Sequence, residues 1–216
     1  MFIGHYGVAL AAKRATPVTS LGILVLAAQW VDLLWPIFLL LGWEQVRIAP
    51  GDTRLAPLAF EHYPWTHSLL AAVIWALLLG GVLAFRQGLR AGLVVGGCVA
   101  SHWFLDFLVH RPDLQLVPGV ETRVGLGLWN VPAVALALEA FFFFGGLALY
   151  LRTTKARSAG GRWGLAAFVA FLVLAEVSNL LGPPPPSATA VAWVSLSLWL
   201  LVPWAAAFDR RRSGRV

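Results

Sequence analysis

The stretch HSLLAAVIWALLLGGVLAF, running from His67 to Phe85, decides the fold. Beyond the histidine at its start it holds no titratable side chain, and apolar and polar residues do not alternate along it. It therefore reads as a helix long enough to cross the roughly 30 Å hydrocarbon core of a bilayer. Five runs of the same kind flank it: Leu21 to Trp43, Ala91 to Val109, Gly125 to Leu151, Trp163 to Gly182 and Ala188 to Phe208. A lipid-spanning backbone must be helical or a closed barrel, and runs this long and continuous exclude barrel strands. The expectation is an all-α, polytopic membrane bundle of about six transmembrane helices. Met1 to Ala12 is too short to span and is expected as a further short helix that lies on the inner surface or dips into the bundle. It has no basic region ahead of its apolar stretch, so a cleaved signal peptide is not expected.

Composition says the same. The 216 residues are 59% hydrophobic and 12% charged, against about a quarter charged in soluble domains. Six spans use the whole length as one integral membrane domain, residues 1–216, and leave no room for a catalytic ectodomain. The single cysteine, Cys98, excludes an internal disulfide framework and a multi-cysteine metal site. The net charge of +6 points to anionic lipid heads as partners rather than to nucleic acid, because the basic residues cluster beside apolar spans. No internal repeat supports an inverted-repeat transporter. Pro183 to Pro186 are expected as a stiff, extended cap between the last two spans.

Basic residues also orient the chain. Twelve of them, Lys13, Arg14, Arg86, Arg90, Arg152, Lys155, Arg157, Arg162, Arg210, Arg211, Arg212 and Arg215, fall on one side, and four, Arg47, Arg54, Arg111 and Arg123, on the other. The excess marks the cytoplasmic side, which places the start of the first span and the carboxyl terminus there. Trp43, Trp65 and Trp129 are expected in an outer aromatic belt, and Trp163 and Trp204 in an inner one.

Charged groups in hydrocarbon cost at least a few kcal/mol unless paired or serving a site. Here they concentrate in residues 1–110, the expected metal-site half, which holds all five histidines; residues 111–216 read as scaffold. Ser101-His102-Trp103-Phe104-Leu105-Asp106 puts an imidazole and a carboxylate one helical turn apart, with His110 one turn further. Such a pair grips one metal ion or forms a hydrogen-bonded brace for the bundle; His110, nearer the interface, is expected to be solvated. In His62-Tyr63-Pro64-Trp65-Thr66-His67-Ser68, Thr66 suits a helix cap and His67 can project inward. Asp32, the only charge in the first span, needs a partner from elsewhere. At a rise of 1.5 Å per residue, Asp32 and His102 lie roughly 17 Å from the inner ends of their spans, Asp106 roughly 22 Å and His67 roughly 27 Å. Glu139 and Glu176 fall at roughly 18 and 20 Å, level with this ladder as outer carboxylates or proton carriers. His5 fits least well, reaching roughly 10 Å.

These residues resemble the YdjM-like bacterial inner-membrane proteins described as metal-dependent hydrolases. That family shows a histidine near the amino terminus, then Pro-Asp-Leu-Asp-His-Pro, His-Arg-x-x-Thr-His-Ser and Ser-His-x-x-x-Asp. His5, the stretch Val31-Asp32-Leu33-Leu34-Trp35-Pro36, His62 to Ser68 with Tyr63 in place of arginine, and Ser101-His102 to Asp106 follow the same order over roughly the first half of the chain. Leu34 and Trp35 stand where the family has its second aspartate and a histidine, which removes two ligands from any second metal. The resemblance implies His5, Asp32 and His67 as metal ligands beside His102 and Asp106, with His62, Thr66 and Ser101 around them and Asp106 or Glu139 handling the proton. An imidazole and carboxylate set suits Zn2+ best, and Mn2+ or Fe2+ where carboxylates and water dominate. The function then expected is hydrolysis of an amphipathic or lipid-linked ester or phosphoester near the outer leaflet. A proton-coupled permease using the same buried groups, with Glu139 and Glu176 at one depth, and a non-catalytic membrane protein are the alternatives.

Overall fold

A computed structural model describes residues 1–214 of the chain; Arg215, one of the basic residues counted above, lies outside them. The expected all-α membrane bundle is what forms. Five helices are long and apolar enough to cross a bilayer, and a bent pair brings the number to six if it counts as one span. Large apolar side chains such as Leu77, Phe85, Leu181 and Val194 are exposed on the outside of these helices, as lipid contact requires. The protein is an integral membrane protein.

The short first helix, α1 (Ile3–Ala12), is neither on the surface nor at the rim. It is buried along nearly its whole length, packed chiefly on α7 (Pro132–Thr153). Close backbone approach at Gly7 and Gly146 permits this: a Cβ on Gly146 would collide with the Gly7 carbonyl, and one on Gly7 with the backbone at Phe142.

The first long apolar run is broken. Its halves, α2 (Leu21–Ala28) and α3 (Trp30–Leu40), meet at Gln29 with a bend of 55°, and the run stops short of Trp43. The second run is interrupted too. A single turn, α4 (Pro64–His67), is followed by Ser68 in extended conformation, and α5 (Leu69–Gln87) starts afresh with the Ser68 hydroxyl accepting from Ala71 N at 3.1 Å. Ser68, not Thr66, therefore caps the long helix. A tight turn at Gly88 (φ +92°) returns the chain into α6 (Leu89–Val109), which packs along α5 as an antiparallel hairpin. The fourth span begins at Pro132 rather than Gly125, because residues 125–131 form a loop ending in a short 3-10 turn. α8 (Ala159–Leu181) and the last crossing, α9 (Ala188–Leu196) continuing into α10 (Leu201–Asp209), flank the proline run.

Short hairpins close the ends. β1 (Gln45–Ile48) pairs with β2 (Leu58–His62), and β3 (Leu114–Gln115) with β4 (Arg123–Val124), at the end holding Glu44 and Trp65; β5 (Thr154–Ala156) pairs with β6 (Arg212–Gly214) at the other. Trp43, Trp65 and Trp163 are exposed, as an aromatic belt requires, but Trp129 and Trp204 turn inward, against His110 and Phe168 respectively.

At the basic end, Lys13 is buried and donates to Asp209 Oδ2 and the Thr19 carbonyl, both at 2.8 Å. Asp209 also accepts from Tyr150 OH and Leu21 N. This network anchors one end of α1 inside the bundle.

Gly146→Val should overpack the α1–α7 contact and lower stability by about 1–3 kcal/mol. Gly145→Val next to it, where a Cβ meets nothing within 4 Å, should melt within a few degrees of the parent protein in the same detergent.

Candidate metal centre

The two helix breaks build the site. At Gln29 the chain leaves the helical path, so the Ala28 carbonyl has no intrahelical partner and instead meets His102 Nδ1 at 2.7 Å. A carbonyl only accepts, so Nδ1 carries a hydrogen, and in the neutral imidazole the lone pair is then on Nε2. At Ser68 the chain turns so that His67 Nδ1 lies 2.6 Å from the Thr66 hydroxyl, whose own hydrogen goes to Glu44 Oε2 at 2.8 Å. The hydroxyl oxygen must then accept from Nδ1, and His67 too presents a bare Nε2.

Both bare nitrogens face carboxylates. His102 Nε2 lies 3.2 Å from Asp106 Oδ2 and 3.6 Å from Asp32 Oδ2; His67 Nε2 lies 3.3 Å from Asp32 Oδ1 and 3.8 Å from Asp106 Oδ2. In neutral imidazoles these lone pairs would face the carboxylate oxygens and repel them, and His102 Nε2 is buried without a hydrogen-bond partner. A proton on Nε2 would relieve this, and so would a cation held by either of two overlapping triads, His5, His102 and Asp106 or Asp32, His67 and His102. Ligand atoms about 2.0–2.1 Å from a tetrahedral zinc stand roughly 3.3–3.4 Å from one another, close to the spacings here. Nδ1 held by an outer acceptor is also how metal-binding histidines are usually oriented.

His5 belongs to the cluster. Its ring stacks on His102 with centroids 3.6 Å apart, and its Nε2 lies 3.1 Å from Asp106 Oδ1, the oxygen that also accepts from the Met1 amino group at 2.5 Å. Its ligand atom lies within 4.8 Å of those of His102 and Asp106, as do those of Asp32, His67 and His102 of one another. The five expected ligands therefore converge, from α1, α3, α4 and α6.

The outer residues are placed differently from expectation. His62 is exposed on β2, and the Ser101 hydroxyl bonds back to the Cys98 carbonyl of its own helix. Glu139 accepts from the amides of Phe2 and Gly4, both at 2.7 Å, so both its oxygens hold the start of α1 rather than a proton in transit. Glu176 lines the cavity with no hydrogen bond among the described residues. Thr66 is in place, but as the acceptor that orients His67.

Glu44 was not visible in the sequence. It sits 22 residues from Thr66 and, although in a loop, is buried, accepting from Trp65 N, Thr66 N and the Thr66 hydroxyl. Burial pushes its carboxyl above the ordinary glutamate range, while His67 and the Thr66 and Trp65 donors pull it back. His110, expected in solvent, is buried beside Tyr63 and Asp113.

A cavity of about 560 Å³ opens onto Asp32, His67 and Asp106, with His5 and His102 behind them. Asp32 is the most accessible of the five, with 22% of its side chain exposed. Comparison with protein-family models, curated proteins and solved structures finds no match.

His102→Ala and Asp106→Ala should each abolish stoichiometric zinc in the purified protein, read by elemental analysis, while His62→Ala retains it. Thr66→Val removes the acceptor that orients His67 and should weaken zinc binding about 10–100-fold in a chelator competition.

Proposed function

We propose that this chain is a membrane-embedded, metal-dependent hydrolase acting on an amphipathic or lipid-linked ester or phosphoester near the outer leaflet, a divergent relative of the YdjM-like proteins. The observation that carries this reading is the pair of imidazoles, each oriented from outside so that its Nε2 meets two buried carboxylates. Zinc fits the donor set best. Bound there, it would supply Lewis-acid activation of water and of a substrate oxygen. His102 and His67 would hold it, Asp106 is anchored by His5 on its other oxygen, and Asp32 stands at the open side toward the cavity.

The cavity supports an amphipathic substrate. Its far wall is apolar, formed by Phe171, Leu180, Val191, Val194 and Leu198. Phe171 and Val194 of this wall are also exposed on the outside of α8 and α9, which puts the wall near the hydrocarbon. A tail can stay among these side chains while the ester reaches Asp32. Glu176, facing the same cavity without a partner, favours the second reading, a proton-coupled permease.

We also place the protein in a bacterial inner membrane with its basic end in the cytoplasm. In a Cys98→Ser background, an impermeant thiol reagent added outside should label Ser187→Cys and leave Lys155→Cys unlabelled; the reverse pattern overturns the orientation.

The function is tested by incubating zinc-loaded protein in detergent with mixed membrane lipid extract and profiling products by mass spectrometry, with His102→Ala as blank. A product made only by the wild type is expected. Equal profiles, together with a Glu176-dependent solute flux in liposomes, would leave the permease.

A further inference from the structure

A second polar cluster shares the cavity wall with the metal centre. His110 follows the last turn of α6, four residues and roughly 6 Å along the axis beyond Asp106. The chain then reverses sharply, Asp113 N bonding to the Arg111 carbonyl at 2.6 Å. That reversal brings Asp113 Oδ1 to 3.0 Å from His110 Nδ1, and the Tyr63 hydroxyl donates to the same oxygen at 2.6 Å. Arg111 Nε, 3.4 Å from Asp113 Oδ2, holds the carboxylate from the other side. The rings of Trp129 and Phe60 lie 4.2 and 4.9 Å from the imidazole and fix its plane.

Each contact points to one tautomer. An ionised carboxylate only accepts, so Nδ1 carries the hydrogen and the lone pair of neutral His110 is on Nε2. His110 lines the cavity, and no group among the described residues hydrogen-bonds to its Nε2. A histidine used only to staple the loop would have no need to leave this nitrogen toward open space.

We propose that His110, positioned by Asp113 and Tyr63, is the base that takes the proton from the attacking water and returns it to the leaving oxygen. This rests on the hydrolase reading. The water oxygen bonds to the carbonyl carbon or phosphorus as its proton passes to His110 Nε2. The bond from that centre to the leaving oxygen then breaks, and this oxygen takes the proton from Nε2. His110 ends neutral, and one water has been added across the ester. An aspartate behind a histidine is the usual way to hold an imidazole in the tautomer this requires.

The experiment uses zinc-loaded protein with mixed micelles of phosphatidylethanolamine, phosphatidylglycerol and cardiolipin added to the membrane lipid extract, reading zinc content, melting temperature and product together. His110→Ala should keep its zinc and fold but lose about 10²–10⁴-fold in turnover, and added imidazole should restore part of it. Asp113→Asn should also lose turnover with zinc retained, and His62→Ala should match the wild type. A His110→Ala protein within about threefold of wild type, one that loses zinc along with activity, or one that imidazole does not rescue overturns the role given to His110 and leaves the hydrolase standing. A wild type that makes no product over the His102→Ala blank removes the hydrolase and this inference with it.

Discussion

The Nε2 nitrogens of His67 and His102 each lie 3.2–3.8 Å from carboxylate oxygens of both Asp32 and Asp106 in the interior of a membrane bundle. Water at high dielectric would make such a meeting of lone pairs cheap, but inside a bilayer protein it is not. Much of the local structure follows from bringing these groups together. The break at Gln29 leaves a carbonyl for His102, and the break at Ser68 lets His67 turn in. α1 occupies the bundle centre so that His5 can hold the second oxygen of Asp106. Interrupted helices are tolerated in membranes where their backbone is enclosed by protein or lines a cavity. Both interruptions lie next to this site.

The sequence reading was strongest where one physical constraint acts alone. Hydrocarbon thickness sets span length, so six crossings were legible, and helical periodicity put His102 and Asp106 on one stripe. Depth counted along a single helix served less well. His5, counted along its own short segment, reaches only roughly 10 Å, yet its ring stacks on His102. α1 is buried inside the bundle, with Lys13 held against Asp209, and a count along one helix does not register that. The cap at Thr66 was misassigned because Thr66 and Ser68 are both good caps, and only the turn at His67 decides between them.

Partners far apart in sequence were not legible at all. Glu44 reaches Thr66 through the β1–β2 hairpin, and Tyr63 reaches Asp113 across 50 residues; neither spacing has a periodic signature. Glu139 shows the converse error. Its depth agreed with the ladder, yet the amides at the start of α1 occupy both oxygens. A membrane carboxylate at the right height is thus not by itself evidence of proton handling, because a buried helix start provides unpaired N–H donors that attract one.

The same reasoning separates the remaining carboxylates in the cavity. Asp106 is held on both oxygens and Glu139 by two amides, so each is fixed in place by the fold. Asp32 touches only the two imidazoles and is partly open to the cavity, which makes it the ligand best able to shift as a substrate approaches. Glu176, on α8, has no hydrogen bond among the described residues and lines the cavity. Groups held by hydrogen bonds therefore line the side of the cavity toward α1 and α6, and groups without them the side toward α8. On the proposed reading this polarity would help a guest enter from the membrane, because a hydrogen-bonded far wall would have to break its own bonds each time a tail entered.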